Sequence, residues 1–173
     1  MKQATDAELQ LASFLEKFTP EIASLADDIL VGMRKLYPTA LELVYDNYNA
    51  LAIGFGPSER TSEAIFSIAL YPKWVSLFFL QAKGLPDPAK LLRGNGNVAK
   101  HIVLPSPAML HDPAVQTLMH EAGSRAKVPF NPSGAHRLII KSVSNKQRPR
   151  RPGGEESKRA AESGKGRRKK VSS

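Results

Sequence analysis

The apolar residues change period at Tyr37-Pro38, and that change confines the chain to folds that combine helices with a sheet. Before it, Leu11, Phe14, Leu15 and Phe18 fall at i, i+3, i+4 and i+7, and Ile22, Leu25, Ala26, Ile29, Met33 and Leu36 repeat the stripe. Such spacing belongs to helices with one buried face. Thr5-Asp6-Ala7-Glu8 has the form of a capping box, in which hydroxyl and carboxylate satisfy N–H groups that a helix start leaves unpaired. Thr19-Pro20-Glu21 puts Pro at a first helical position, where no N–H bond is lost. Two amphipathic helices are therefore expected before Pro38 stops the second.

After the change the pattern is that of strands. Leu41 to Tyr45 and Ala50 to Phe55 read as a hairpin about Asp46-Asn47-Tyr48-Asn49, and Ala64 to Tyr71 and Trp74 to Leu80 as a second about Pro72-Lys73. Both faces of these strands are apolar, so they are either sandwiched by helices or line an apolar pocket. A connection carrying Gly84, Pro86, Pro88, Gly94 and Gly96 leads to a short strand at His101 to Leu104. Asp112-Pro113 then caps a helix expected to reach residue 127, with Val115, Leu118, Met119 and Ala122 inward, and Arg137 to Lys141 suits an edge strand. The expected fold is α+β, an antiparallel sheet of about five strands packed by N-terminal and C-terminal helices.

The chain has 173 residues, enough for one domain and an appendage. No window approaches the ~18 to 20 consecutive apolar residues of a membrane span, and the N-terminus lacks the apolar core of a signal peptide, so a cytoplasmic protein is expected. The absence of cysteine excludes disulfides, thiolate metal sites and cysteine nucleophiles. Net charge is +9, unevenly spread: residues 1–145 hold 14 Lys and Arg against 13 Asp and Glu, residues 146–173 hold 11 against 3. The expected organisation is a domain over 1–144 and a basic, largely disordered tail over 145–173, disordered above all from residue 153.

Leu91 to Leu104 contains G-x-G-x-x-A, a variant of the dinucleotide-binding fingerprint. The fingerprint needs a strand before the glycines and a helix after them. Here a Pro-rich connection precedes them and Pro105 and Pro107 follow, so a tight turn is expected, with Arg93, Gly94, Gly96 and Lys100 as a candidate anion site. His101, His111, His120 and His136 lack the i, i+4 pairing of helix-borne metal ligands, and no metal site is assigned. Nucleophile-elbow, P-loop and zincin motifs are missing. No catalytic residue or cofactor is assigned. Tyr48 in a polar turn and Trp74 at a strand start are the aromatics reserved for ligand contact. Arg148, Arg150 and Arg151, with Arg167, Arg168, Lys169 and Lys170, form basic clusters suited to nonspecific nucleic-acid contact.

Taken as an ordered set, Y-D-N-Y-N-A-L-A-I-G-F-G (45–56), A-I-F-S-I-A-L-Y-P-K-W-V (64–75), G-L-P-D-P-A-K-L-L-R-G-N-G (84–96), K-H-I-V-L (100–104) and I-K-S-V-S-N-K-Q-R-P-R-R-P (140–152) resemble the YdhG-like domain family, small bacterial proteins mostly without assigned function. The resemblance covers most of residues 40–152. It implies an α/β sandwich similar in outline to frataxin, and one branch of the family is linked to intracellular iron handling. The family usually carries Arg where this chain has Lys100, which keeps the charge and loses bidentate geometry. Because the resemblance runs through residues 146–152, it leaves open whether they lie against the domain. The reading is a non-enzymatic module that binds a small molecule or a protein partner and has no membrane role. Its alternatives are a frataxin-like iron-binding protein, a nucleic-acid-associated protein acting through its tail, and an enzyme without a recognised motif.

Overall fold

The computed structural model describes residues 2–153. Two helices, α1 (Asp6–Leu15) and α2 (Pro20–Leu36), precede β1 (Leu41–Asp46), β2 (Leu51–Gly56), β3 (Phe66–Leu70), β4 (Val75–Phe79) and β5 (Lys100–Val103). The chain then forms α3 (Pro113–Ser124) and β6 (Arg137–Val143). Each α-helix starts where side-chain chemistry permits. The capping box is closed on both sides, Glu8 accepting from the Thr5 N–H at 2.6 Å and Thr5 Oγ1 from the Glu8 N–H at 3.2 Å. Thr19 caps α2 and Asp112 caps α3, each followed by Pro.

The strands lie in the order β5-β4-β3-β2-β1-β6. The first five pair antiparallel as expected. The sixth does not: β6 runs parallel to β1, so the sheet is mixed. After β5 the chain stands at one edge and returns through α3 to the other, and a connection this long is what a parallel pair requires.

Buried side chains of all three helices join those on one side of the sheet in a single core. On β2, β3 and β4 that side carries Leu51, Ile53 and Phe55, then Phe66, Ile68 and Leu70, then Val75, Leu77 and Phe79. Phe66 and Phe79 meet edge to face at 5.6 Å, and each buried Phe contributes about 1.5–3 kcal/mol. The opposite side carries small residues, Ala52, Gly54, Ser67, Ala69 and Ser76, and the loop after β2 closes over part of it. A Cβ on Gly56 would meet the Ala64 Cα at 3.1 Å, so any larger residue there would push the loop back by a few tenths of an ångström. Helices cover only one face of these strands; the other, small-residued except for Phe78, lines a mainly apolar hollow, the second of the two arrangements expected.

β1 inverts the usual pattern. Its helix-facing residues are Glu42, Val44 and Asp46, opposite Phe55, Ile53 and Leu51. Both carboxylates are fully buried, and each is neutralised. Arg34 donates to Glu42 at 2.8 and 2.9 Å and His136 adds a further contact, while Asp46 accepts from Lys17 at 2.7 Å and Arg150 at 2.8 Å.

The topology decides what meets at the end of the sheet. In an up-and-down run the turns after β1 and β3 lie at the same end, and parallel pairing brings the C-terminal end of β6 there too. The chain continues across that end, the Ser144 N–H donating to the Asp46 carbonyl at 2.8 Å and the Arg148 N–H to the Tyr48 carbonyl at 2.9 Å. Of the residues assigned to the tail from composition, Gln147, Arg148, Arg150 and Arg151 are therefore bonded to the domain.

Candidate functional site

Three arginines cross this end of the sheet, and their neighbours give them different tasks. Arg150 is 5% exposed. It pairs with Asp46, donates to the carbonyls of Asn47 and Tyr48, and lies 5.8 Å from the Phe18 ring centre. Its place is structural, so of the three it is the one withdrawn from the nucleic-acid contact expected of it. Arg151 donates to the Glu16 and Lys17 carbonyls at 3.2 Å, where α1 leaves carbonyls without helical partners. Arg148 is exposed, its guanidinium 5.6 Å from the centre of the Tyr48 ring.

Burial pushes the Asp46 carboxyl up, but hydrogen bonds from Lys17, Gln147 and Arg150 and the Lys17 charge outweigh it and hold the group below the ordinary carboxylate range. Asp46 is therefore ionised at neutral pH and fastens the arginine segment to α1 and β1.

Between that segment and the hairpin turns lies a cavity of about 720 Å³. Tyr71, Lys73 and Trp74 form one wall, Arg148 and Arg151 the other, with Asn49 between them. The Tyr71 and Trp74 rings stack at 4.8 Å and 20°, and Trp74 remains 42% exposed. Burial raises the Tyr71 phenol, which stays a neutral donor at neutral pH. Among the described residues no carboxylate lines this cavity, against three cations. A site so built stacks a flat ring and attracts negative charge.

The residues singled out in the sequence separate into two groups. Trp74 lines one cavity with Arg148 and Arg151, whereas Tyr48 lies outside it and meets only Arg148 of these. Arg93, Gly94, Gly96 and Lys100 lie elsewhere: Lys100 pairs with Phe79, at the far end of β4 from Trp74, about 17 Å along the strand. Gly94 takes a φ of +111°, and the turn leads into β5, so no helix aims its N-terminus at the glycines. Arg167, Arg168, Lys169 and Lys170 lie outside the described residues. Asn49, Tyr71 and Lys73 were missed. The available signal was the topology of consecutive hairpins, which puts turns 47–50 and 71–74 at one end.

A second cavity, of about 550 Å³, lies between α2 and α3. Its rings already pack on aromatic neighbours at a tilt, Tyr37 lying 5.0 Å from Phe130 and 5.1 Å from the core Phe66, and burial pushes the Tyr37 phenol up to about 12. Among the described residues no three potential metal ligands come together, and no helix is long and apolar enough to cross a membrane.

No family model, curated protein or solved structure matches the chain. The YdhG-like resemblance rests on the residues quoted for it.

Proposed function

We propose that this domain is a non-enzymatic binding module for a small planar anion, taken up between the Trp74 hairpin and the arginine segment. The observation that carries this reading is the pairing of a half-exposed Trp74 ring with Lys73, Arg148 and Arg151 in a cavity without a carboxylate among the described residues. A flat ring on Trp74 accounts for the aromatic wall, and a phosphate or carboxylate for the cations. The YdhG-like, frataxin-like outline belongs to the same proposal. Its support is the quoted motifs and the common core formed by the three helices on one side of the sheet.

Trp74 is the only tryptophan in the chain, so its emission reports on this site alone. AMP, which has both ring and charge, is expected to quench it, with adenosine and inorganic phosphate each needing roughly tenfold more for the same effect. Arg148→Ala and Lys73→Ala should each weaken AMP, whereas Lys100→Ala should leave the titration unchanged. Unaltered Trp74 emission with AMP in excess would remove the proposal, and sensitivity to Lys100→Ala alone would move the anion to the glycine turn.

A further inference from the structure

The cavity at Trp74 has a neighbour with which it shares two lining residues. Asn49 and Tyr71 also border a second hollow, of about 580 Å³, which runs over the small-residue face of the sheet past Ala52, Ser67 and Ala69 to Phe78. Phe78 and His101 form a cross-strand pair there, ring centres 5.0 Å apart. Trp74 and Phe78 share a face of β4 and stand four residues apart, about 13 Å along the strand. The floor between them is small and uncharged, and Asn47, Asn49, Ser67 and Ser144 offer amides and hydroxyls to a ligand edge. Two stacking platforms joined by a shallow floor, with Lys73 and Arg148 along one end, exceed what one flat molecule can occupy.

We propose that the combined groove takes a short stretch of single-stranded nucleic acid, one base stacking at Trp74, a later one at Phe78 and His101, and backbone phosphates passing Lys73 and Arg148. The proposal rests on the planar-anion reading of the Trp74 cavity and extends it to a polymer. Charge complementarity and stacking both favour this occupant, because bases of any sequence present flat faces and the backbone carries a charge at every residue. The 28 residues from 146 onward add 11 cations against 3 acids, which suits the same partner. An acidic polypeptide fits less well: strand addition uses a sheet edge, and this groove lies on the sheet's face.

The test uses the full chain and a labelled oligothymidylate of about a dozen residues, with anisotropy and Trp74 emission read together. The oligomer should quench Trp74 and bind at least about tenfold tighter than AMP, and Phe78→Leu and Lys73→Glu should each weaken it about tenfold. AMP quenching in Phe78→Leu, whose side chain lies outside the near cavity, reports whether that cavity has survived, and an unchanged melting temperature reports that Lys73→Glu is folded. Oligomer binding that leaves Trp74 unquenched and is equal in wild type and variants would overturn the proposal, placing the contact in the remaining basic residues. Displacement of the oligomer by oligoglutamate at equal charge would overturn it in favour of an acidic polypeptide. AMP quenching with no gain for the oligomer would overturn it while the planar-anion reading stands, and no quenching by either ligand would remove both.

Discussion

Asp46 fastens the site to the fold. Its buried carboxylate holds Lys17 from the chain just after α1 and Arg150 from the C-terminal segment, 104 residues away in sequence. Asp46→Asn removes the charge and leaves Arg150 buried without its counter-ion, a change expected to cost about 3 kcal/mol or more. The pH dependence has a definite sign. Because the folded-state value is depressed, the contribution is complete above the unfolded carboxylate value of about 4 and is lost as pH falls through the lower folded value. The urea midpoint of the wild type should therefore fall more steeply on acidification below about pH 4 than that of Asp46→Asn; parallel curves would show that this carboxylate contributes nothing specific. Ser76 gives the opposite case, a buried hydroxyl without a hydrogen-bond partner among the described residues. Ser76→Ala should be neutral or stabilising by up to about 1 kcal/mol, and a loss of that size would reveal a partner for the hydroxyl.

Local chemistry made the helices readable before the structure. A closed capping box, proline at two first positions and an aspartate cap act within four residues, and each appears in place. β1 was harder to read because its apolar residues do not single out a face. Glu42, Val44 and Asp46 face the helices, the acids held by Arg34, Lys17 and Arg150, which stand on other parts of the chain. Neither those ion pairs nor the parallel register of β6 leaves a trace in periodicity, which is a local property. The Trp74 cavity was hidden for the same reason, since three separate stretches of chain build it. At this scale the docking of the C-terminal segment is measurable by hydrogen exchange. The Ser144 and Arg148 amides, bonded to Asp46 and Tyr48 carbonyls, should exchange far more slowly than free-chain amides, with Arg148 losing protection in Asp46→Asn. Free-chain rates at both amides would mean that the segment does not stay on the domain.

Across the whole molecule, charge and topology act together. Residues 1–145 are nearly neutral, with 14 Lys and Arg against 13 Asp and Glu. A cation-rich wall arises because β6, paired parallel to β1, delivers Arg148 and Arg151 to the end where Lys73 and Trp74 already stand. An antiparallel sixth strand would have carried them to the opposite end. The resulting field should draw anions to Trp74 and weaken as salt rises, since screening at 0.1 M acts over about 10 Å. Collisional quenching of the single tryptophan measures that field directly. With each ion scaled to its quenching of free N-acetyltryptophanamide, iodide should quench Trp74 more strongly than caesium at low ionic strength, and Lys73→Glu combined with Arg148→Glu should reverse the order; equal scaled quenching in the wild type, or stronger scaled quenching by caesium, would contradict the account.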